Sequence, residues 1–480
     1  HFGSSCWTHA QPRASPTMRK VGATFAVLLG GATPWGAVAD LYQFDEVQAP
    51  VGLTMQTHYY FYVYSAADAP DRSYGEPTVT MKLTLAPDNE SPKPADLTAL
   101  AGYKSVDVSV LPAAYLDKLV DEFAFCAYKD GFSSFSPRPN ISGGAIITHR
   151  VSGQKGEPHI DRIAKTGMYA LITTNCGNLT GFRLIGTVSV QNPHGYLRAP
   201  DYNKQTLYAS LAVVYMAILI IWGALVVQWR GHVNAVQKEL LVISLIGVGE
   251  CVSTYMFYHG WNMTDEVSDA YFLAGSVLSL LKICMSFRGV LLLSKLLCEE
   301  VSGSHKIDVA LAIYAGANFN FRLLERFRAG YGLDSKVLLI NAAPEALMGV
   351  VLFVWCFIAL RQGKGMCEKQ QAQLQASLIT KSSVIVAFAT VGAFAAFVAH
   401  LSDSSISVQA PNWGMHFVYS DCISHVVFAL LLVSAMLVWR PSDEMQGYKY
   451  AEQPQDQESQ AIIGAAVDKE DQDTSDKPAE

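Results

Sequence analysis

The sequence predicts a multi-domain membrane protein: an all-β sandwich followed by an all-α bundle of seven transmembrane helices. Three observations predict it. Seven apolar runs follow one another between Leu207 and Trp439. Ahead of them, short stretches of β-branched and aromatic residues are punctuated by Pro, Gly, Asn and Asp. Ahead of those lies a short basic, apolar and small-residue pattern at the N-terminal side. The hydrocarbon core of a bilayer is about 30 Å thick and a helix rises about 1.5 Å per residue, so about 20 apolar residues suffice to cross it. A soluble fold would have to bury all seven runs in one core.

Composition agrees. Half of the 480 residues are hydrophobic and 16% are charged, against about 25% charged in soluble domains. The net charge of −7 comes without any basic cluster interleaved with aromatics, so nucleic acid is not an expected partner.

Residues 1–39 read as a leader. From Met18 the chain has the parts of a signal peptide: Arg19 and Lys20, an apolar stretch from Val21 to Gly31, and the small-residue site Ala37-Val38-Ala39. That places residues 40–206 in a lumenal or extracellular space. In this segment Tyr59 to Tyr64, Val79 to Leu85, Ala145 to Thr148 and Phe182 to Val190 read as strands, and Ala113 to Phe125 has apolar residues near helical spacing. Two cysteines, Cys126 and Cys176, lie here and are expected to pair in an oxidising compartment. Four N-x-S/T sequons, at Asn89, Asn140, Asn178 and Asn262, are glycosylation candidates.

The spans are expected at 207–228, 239–258, 270–294, 306–321, 337–360, 380–401 and 415–439, forming a bundle over residues 207–440. The fourth is the weakest, with Asn318 and Asn320 inside and Arg322 just beyond. Loop charges set the orientation. Arg230, Lys238, Lys295, Lys306, Arg361, Lys364 and Arg440 fall on the expected cytosolic side, whereas loops 259–269 and 402–414 carry no Lys or Arg. Arg322, Arg326, Arg328 and Lys336 break the pattern after the fourth span. Residues 441–480 form an acidic tail rich in Gln, Ser and Asp, with the composition of a disordered cytosolic segment.

A charge at membrane depth calls for a partner or a polar cavity. Glu250 and Lys282 both fall near the midplane and are expected to face each other or share such a cavity. Two roles are open for them: a site for an anionic lipid head group or a gate in an ion path, and a structural pair that fixes helix register. Arg288, about 9 Å further along the third span, suits a side chain snorkelling to head groups. Glu345 follows Pro344 in the fifth span, and Asp421 and His425 share a face of the seventh. His400, Asp403, His416, Asp421 and His425 gather near one end of the last two spans, but their spacing matches no metal signature, and no nucleophile, Walker or zincin motif occurs elsewhere.

Several ordered segments carry a resemblance. Thr166-Gly167-Met168-Tyr169 runs on to Asn175-Cys176. Asn192-Pro193-His194-Gly195-Tyr196-Leu197 precedes the first span, which has Tyr208, Tyr215 and Trp222 at regular spacing. The second span carries Ile246-Gly247-Val248-Gly249-Glu250, the third Lys282 and Arg288, and the seventh ends Trp439-Arg440-Pro441-Ser442. The ordered set resembles the GOST family, the Golgi-dynamics-domain seven-transmembrane proteins. The chain departs from it at Ile283, where a second basic residue is usual, and at Leu297-Cys298-Glu299-Glu300. The resemblance implies a GOLD-like lumenal sandwich on a receptor-like bundle with a cavity for a lipid such as a phospholipid. It implies no catalysis, no cofactor and no metal. It also implies a multi-pass protein of the Golgi or endomembrane system serving protein trafficking, including endosome-to-Golgi transport, with a lumenal cargo or partner. A cation channel or regulator of Golgi ion balance is the alternative, and a G-protein-coupled type of receptor a further one.

Overall fold

The computed structural model describes residues 41–48, 55–87, 106–116, 126–129, 132–135, 147–151, 158–176, 182–264, 268–296, 304–331, 335–369, 372–403, 413–415 and 417–442. The signal peptide, Asn89, Asn140, Asn178 and nearly all of the acidic tail lie outside these residues.

Ten strands come first: β1 (Leu41–Gln48), β2 (Met55–Val63), β3 (Thr78–Pro87), β4 (Val106–Pro112), β5 (Cys126–Lys129), β6 (Phe132–Phe135), β7 (Ile147–Val151), β8 (His159–Arg162), β9 (Gly167–Thr174) and β10 (Phe182–Gln191). They form two four-stranded antiparallel sheets, ordered β1-β10-β3-β8 and β2-β9-β4-β7, and a β5-β6 hairpin. Alternation along β2 and β3 sends Phe61, Val63, Val79, Met81, Leu83 and Leu85 inward to one core with Val108, Leu171 and Val188. The long alternating runs were readable because each strand has one dry face and one wet one. The helix expected at 113–125 is met by a single 3-10 turn, Ala113–Tyr115; residues 117–125 lie outside the described set. Cys176 is disulfide-bonded. Cys126 opens β5, and its side chain is outside the described residues.

Seven long helices follow: α1 (Ala199–Gln228), α2 (Ala235–Thr264), α3 (Asp269–Leu296), α4 (Ser304–Tyr331), α5 (Ser335–Lys369), α6 (Gln373–Asp403) and α7 (Ile423–Val438), the last entered through a π-helical turn at Val418–Cys422. Among the described residues, six of them are long and apolar enough to cross a membrane. The other is α4. It runs ten residues past the expected end of the fourth span at 321 and takes in Arg322. Helix α1 begins eight residues earlier than hydropathy suggests, because Pro200 and Asp201 suit a first turn while Asp201 and Lys204 hide the start from an apolar scan.

Among the described residues, a buried junction fastens the β domain to the bundle. Gly195 hydrogen-bonds Asn192 in both directions, closing a turn (N–H to O distances 2.8 and 3.1 Å). Gly195 has φ +129°, and an added Cβ would lie 2.4 Å from the Asn262 carbonyl oxygen. The turn therefore needs glycine twice over, for backbone angle and for space. Asn262 sits at the end of α2 and holds this turn. Its Nδ2 donates to the His194 carbonyl at 2.8 Å, its Oδ1 accepts from the Leu197 N–H at 3.2 Å, and its own carbonyl accepts from Tyr196 N–H at 3.1 Å. Asn262 is 7% exposed, so its expected role as a glycan acceptor is corrected: the amide nitrogen a glycan would occupy is already committed inside the junction. Glycan-site mapping of the purified protein is expected to leave the Asn262 peptide unmodified.

His194 completes the junction. Its Nε2–H donates to the Leu197 carbonyl at 2.9 Å, and its Nδ1 is buried without a partner. Burial pushes the imidazole down to about 4, against partial opposition from that hydrogen bond and from Asp71. Tyr64 and Tyr202 flank the ring. His58, bonded to Thr173 Oγ1 at 2.6 Å, is also pushed by burial to about 4. The unfolded chain holds protons on both residues that the folded chain refuses. Stability is thus full above the ordinary histidine value of about 6.5 and is lost as pH falls from there toward 4. Melting followed from pH 7.5 to 4.5 is expected to show this decline, with a shallower slope in His194→Gln.

Candidate functional site in the helix bundle

The interior of the bundle holds two connected sets of polar side chains, both in the half nearer the β domain or at mid-depth. The first centres on Glu250 of α2 and Lys282 of α3. Each is 2% exposed, and they form an ion pair. The Gly-Val-Gly stretch before Glu250 explains how neighbouring helices come so close. A Cβ at residue 247 would lie 2.7 Å from the Tyr215 ring of α1, and one at 249 would lie 3.3 Å from Leu278 of α3. Gly247→Ala is therefore expected to push Tyr215 off the pair at a cost of about 1–3 kcal/mol, measurable as lowered thermal stability in nanodiscs. The Lys282 ammonium also lies 5.6 Å from the centre of the Tyr215 ring and 4.5 Å from that of Phe428 of α7, a cation–π arrangement that suits a charge taken out of water.

From this pair a chain of bonds reaches α4 and α5. Arg322 donates to Ser279 Oγ, one turn before Lys282, at 2.9 Å, and to Asn318 Oδ1 at 3.0 Å. Asn318 Nδ2 in turn donates to Glu345. The polarity that makes α4 the weakest span in sequence is spent inside the bundle, on Asn318 and Arg322. Arg322, one of the four basic residues that break the loop-charge pattern, is thus committed inside the bundle; the side chains of Arg326, Arg328 and Lys336 lie outside the described residues.

The second set lies nearer the β domain. Lys204 of α1 bridges Asp201 at 3.0 Å and Asp421 at 2.9 Å. Tyr208 donates its hydroxyl hydrogen to Asp421 Oδ1 at 2.7 Å and accepts from His425 Nε2 at 3.1 Å. Asp421 and His425 are thus joined through Tyr208 of another helix. The π-helical turn at Val418–Cys422 delivers Asp421 to this position, and such turns often occur where a helix is shaped for a site. Formally the two sets contain three cations, Lys204, Lys282 and Arg322, against four carboxylates, Asp201, Asp421, Glu250 and Glu345.

Of the six residues expected in the bundle site, Glu250, Lys282, Glu345, Asp421 and His425 join these sets. Arg288 does not. Its side chain is 46% exposed, lies 3.9 Å from the likewise exposed Asp308 and interacts with Glu239, so it is corrected to a residue of the far half outside these sets. Sequence reasoning missed Asp201, Lys204 and Ser279, and assigned no role to Asn318. The signals were an i,i+3 Asp-Lys pair at the start of α1 and an i,i+4 Asn-Arg pair in α4. Among the described residues, no three His, Cys, Asp or Glu side chains are placed to hold a metal.

Beyond mid-depth the core is packed mainly from Trp222, Leu240, Phe287, Leu291, Leu360 and Met436 among others, with Gln237, Ser244 and Ser382 buried among them. Its end is tied by Trp222 Nε1 donating to the Gln237 carbonyl at 3.0 Å and Gln237 Nε2 donating to the Trp439 carbonyl at 3.0 Å. Trp439 Nε1 reaches Ser382 of α6 at 3.2 Å. Trp222, the last of the regularly spaced aromatics of α1, and the tryptophan that ends α7 are therefore parts of one helix-to-helix lock.

The family model for the GOST seven transmembrane domain matches residues 203–446, just over half of the chain. The protein belongs to the GOST family. Among its GOST relatives, membrane protein PTM1 of Saccharomyces cerevisiae (strain YJM789) is 22% identical over 299 residues, covering 58% of this chain and 55% of that protein. Transmembrane protein 87B of Mus musculus is 21% identical over 373 residues, 74% of this chain and 62% of its own length. Transmembrane protein 87A of Homo sapiens is 20% identical over 285 residues, 58% and 50% respectively. The chain spans about half the length of the curated relatives it matches. The GOST assignment fixes an integral, multi-pass membrane protein with a β domain ahead of its helical bundle.

Proposed function

We propose that this GOST protein is a non-catalytic trafficking factor of the Golgi and endomembrane system, in which the lumenal β domain binds a cargo or partner protein. The observation that carries this reading is the buried junction at Asn262. It ties the segment leading out of the β-sandwich to the end of α2, an arrangement suited to presenting a binding surface close above a membrane. The sequons and loop charges support a lumenal β domain and a cytosolic tail. A phospholipid held against the bundle belongs to the same reading. An anionic head group is the less suitable one, because Lys282 is already paired with Glu250 and Lys204 with two aspartates. The test is tagging at the native locus, with proteomics of surface and Golgi fractions from cells lacking the protein. Endomembrane localisation with a defined set of misrouted membrane proteins is expected. Unchanged protein distribution in every fraction, or residence outside the endomembrane system, would overturn the reading.

A further inference from the structure

Among the described residues, five buried side-chain atoms of the bundle lack a hydrogen-bond partner: Glu239 Oε1, Glu250 Oε2 (ion-paired with Lys282), Trp261 Nε1, the Tyr215 hydroxyl and His425 Nδ1. The last two belong to one place. Tyr215 is fully buried. The state of the His425 ring follows from its neighbours. Asp421 accepts the Tyr208 hydroxyl hydrogen, so the Tyr208 oxygen must accept from His425 Nε2–H, which leaves Nδ1 a bare lone pair. Both orphans face the Glu250–Lys282 pair. Tyr215 interacts with Glu250, and its ring borders the Lys282 ammonium. The charged groups around His425 are Lys282, Glu250, Asp421 and Arg322, from α3, α2, its own segment and α4. An orphaned buried hydroxyl or imidazole nitrogen costs about 1–3 kcal/mol, and two at one place call for an occupant. The occupant must donate to a lone pair, accept from or donate to a hydroxyl, and be small. A buried water does this with two to four polar partners. The charges beside these two atoms are already paired, Glu250 with Lys282 and Asp421 with Lys204.

We infer that water occupies the space between Tyr215, His425 and the Glu250–Lys282 pair. The water joins the two polar sets into one hydrogen-bonded network, from Asp201 and Lys204 through Asp421, Tyr208 and His425 to the Glu250–Lys282 pair. Ser279, beside Glu250, carries it on through Arg322 and Asn318 to Glu345.

Radiolytic hydroxyl labelling of the full-length protein in nanodiscs tests this, because radicals formed from bound water mark the side chains beside it. Tyr208 and Tyr215 are expected to label severalfold faster than Trp222, Phe287 and Met436, although methionine and tryptophan are intrinsically the more reactive. In His425→Phe, labelling of Tyr215 is expected to drop; the wild-type contrast decides the matter alone if that variant does not fold. Silence at Tyr215, with or without a co-purifying lipid, or labelling of Tyr215 no faster than Phe287, overturns the water site.

Discussion

Lys282→Met is expected to lower the stability of the bundle by about 3–5 kcal/mol, the usual result of stripping one partner from a buried ion pair. The methionine nearly matches the lysine in volume, so lost packing contributes little. What remains is Glu250, 2% exposed and held by helices on several sides, with no ammonium opposite it. The carboxylate must then take up a proton or draw in water, and either route costs free energy at membrane depth. Thermal unfolding in nanodiscs or resistance to denaturing detergent reads the loss. Arg288→Met, removing a basic residue six positions along the same helix, is expected to cost less than Lys282→Met, because Arg288 is half exposed and its ion pair with Asp308 is long, at 3.9 Å.

The second large effect is at the junction. Asn262→Ala removes a donor and an acceptor at once, leaving the His194 carbonyl and the Leu197 N–H buried with nothing to bond. At about 1–3 kcal/mol for each orphaned group, the expected loss is about 2–5 kcal/mol. It should fall on the attachment of the β domain more than on the bundle. Limited proteolysis between residues 192 and 198 is therefore expected to quicken, with the helices still protected. Gly195→Ala should do the same by another route, since its Cβ has no space against the Asn262 carbonyl. Unaltered cleavage in both variants would show that the β domain is held elsewhere.

How much of this could be read from residues alone differs by feature, for physical reasons. Six spans were legible because apolarity over about 20 residues is a local property. The start of α1 and the end of α4 were not, because Asp201, Lys204, Asn318 and Arg322 are helical yet turned to polar partners that no local window contains. Glu250 and Lys282 were legible as a pair from depth alone, since two opposite charges near one midplane have few other ways to be satisfied. That Tyr208 of α1 would join Asp421 to His425 was not legible, because it depends on how α1 and α7 cross. Asn262 was misread for a related reason. The sequon is a three-residue pattern, while the burial that withdraws its amide comes from residues 194–197, more than sixty positions away. The Gly-Val-Gly stretch was visible as a motif, and its purpose became clear only with the Tyr215 ring lying against Gly247.

The central claim is that Glu250 and Lys282 stabilise the fold as a pair and each burdens it alone. A double-mutant cycle in nanodiscs tests this most directly, with Glu250→Leu, Lys282→Met and the two combined. Both single variants are expected to be markedly destabilised, and the double variant to lose less than the sum of the two by a coupling of about 2–3 kcal/mol. Losses that add to within about 0.5 kcal/mol would contradict the pairing.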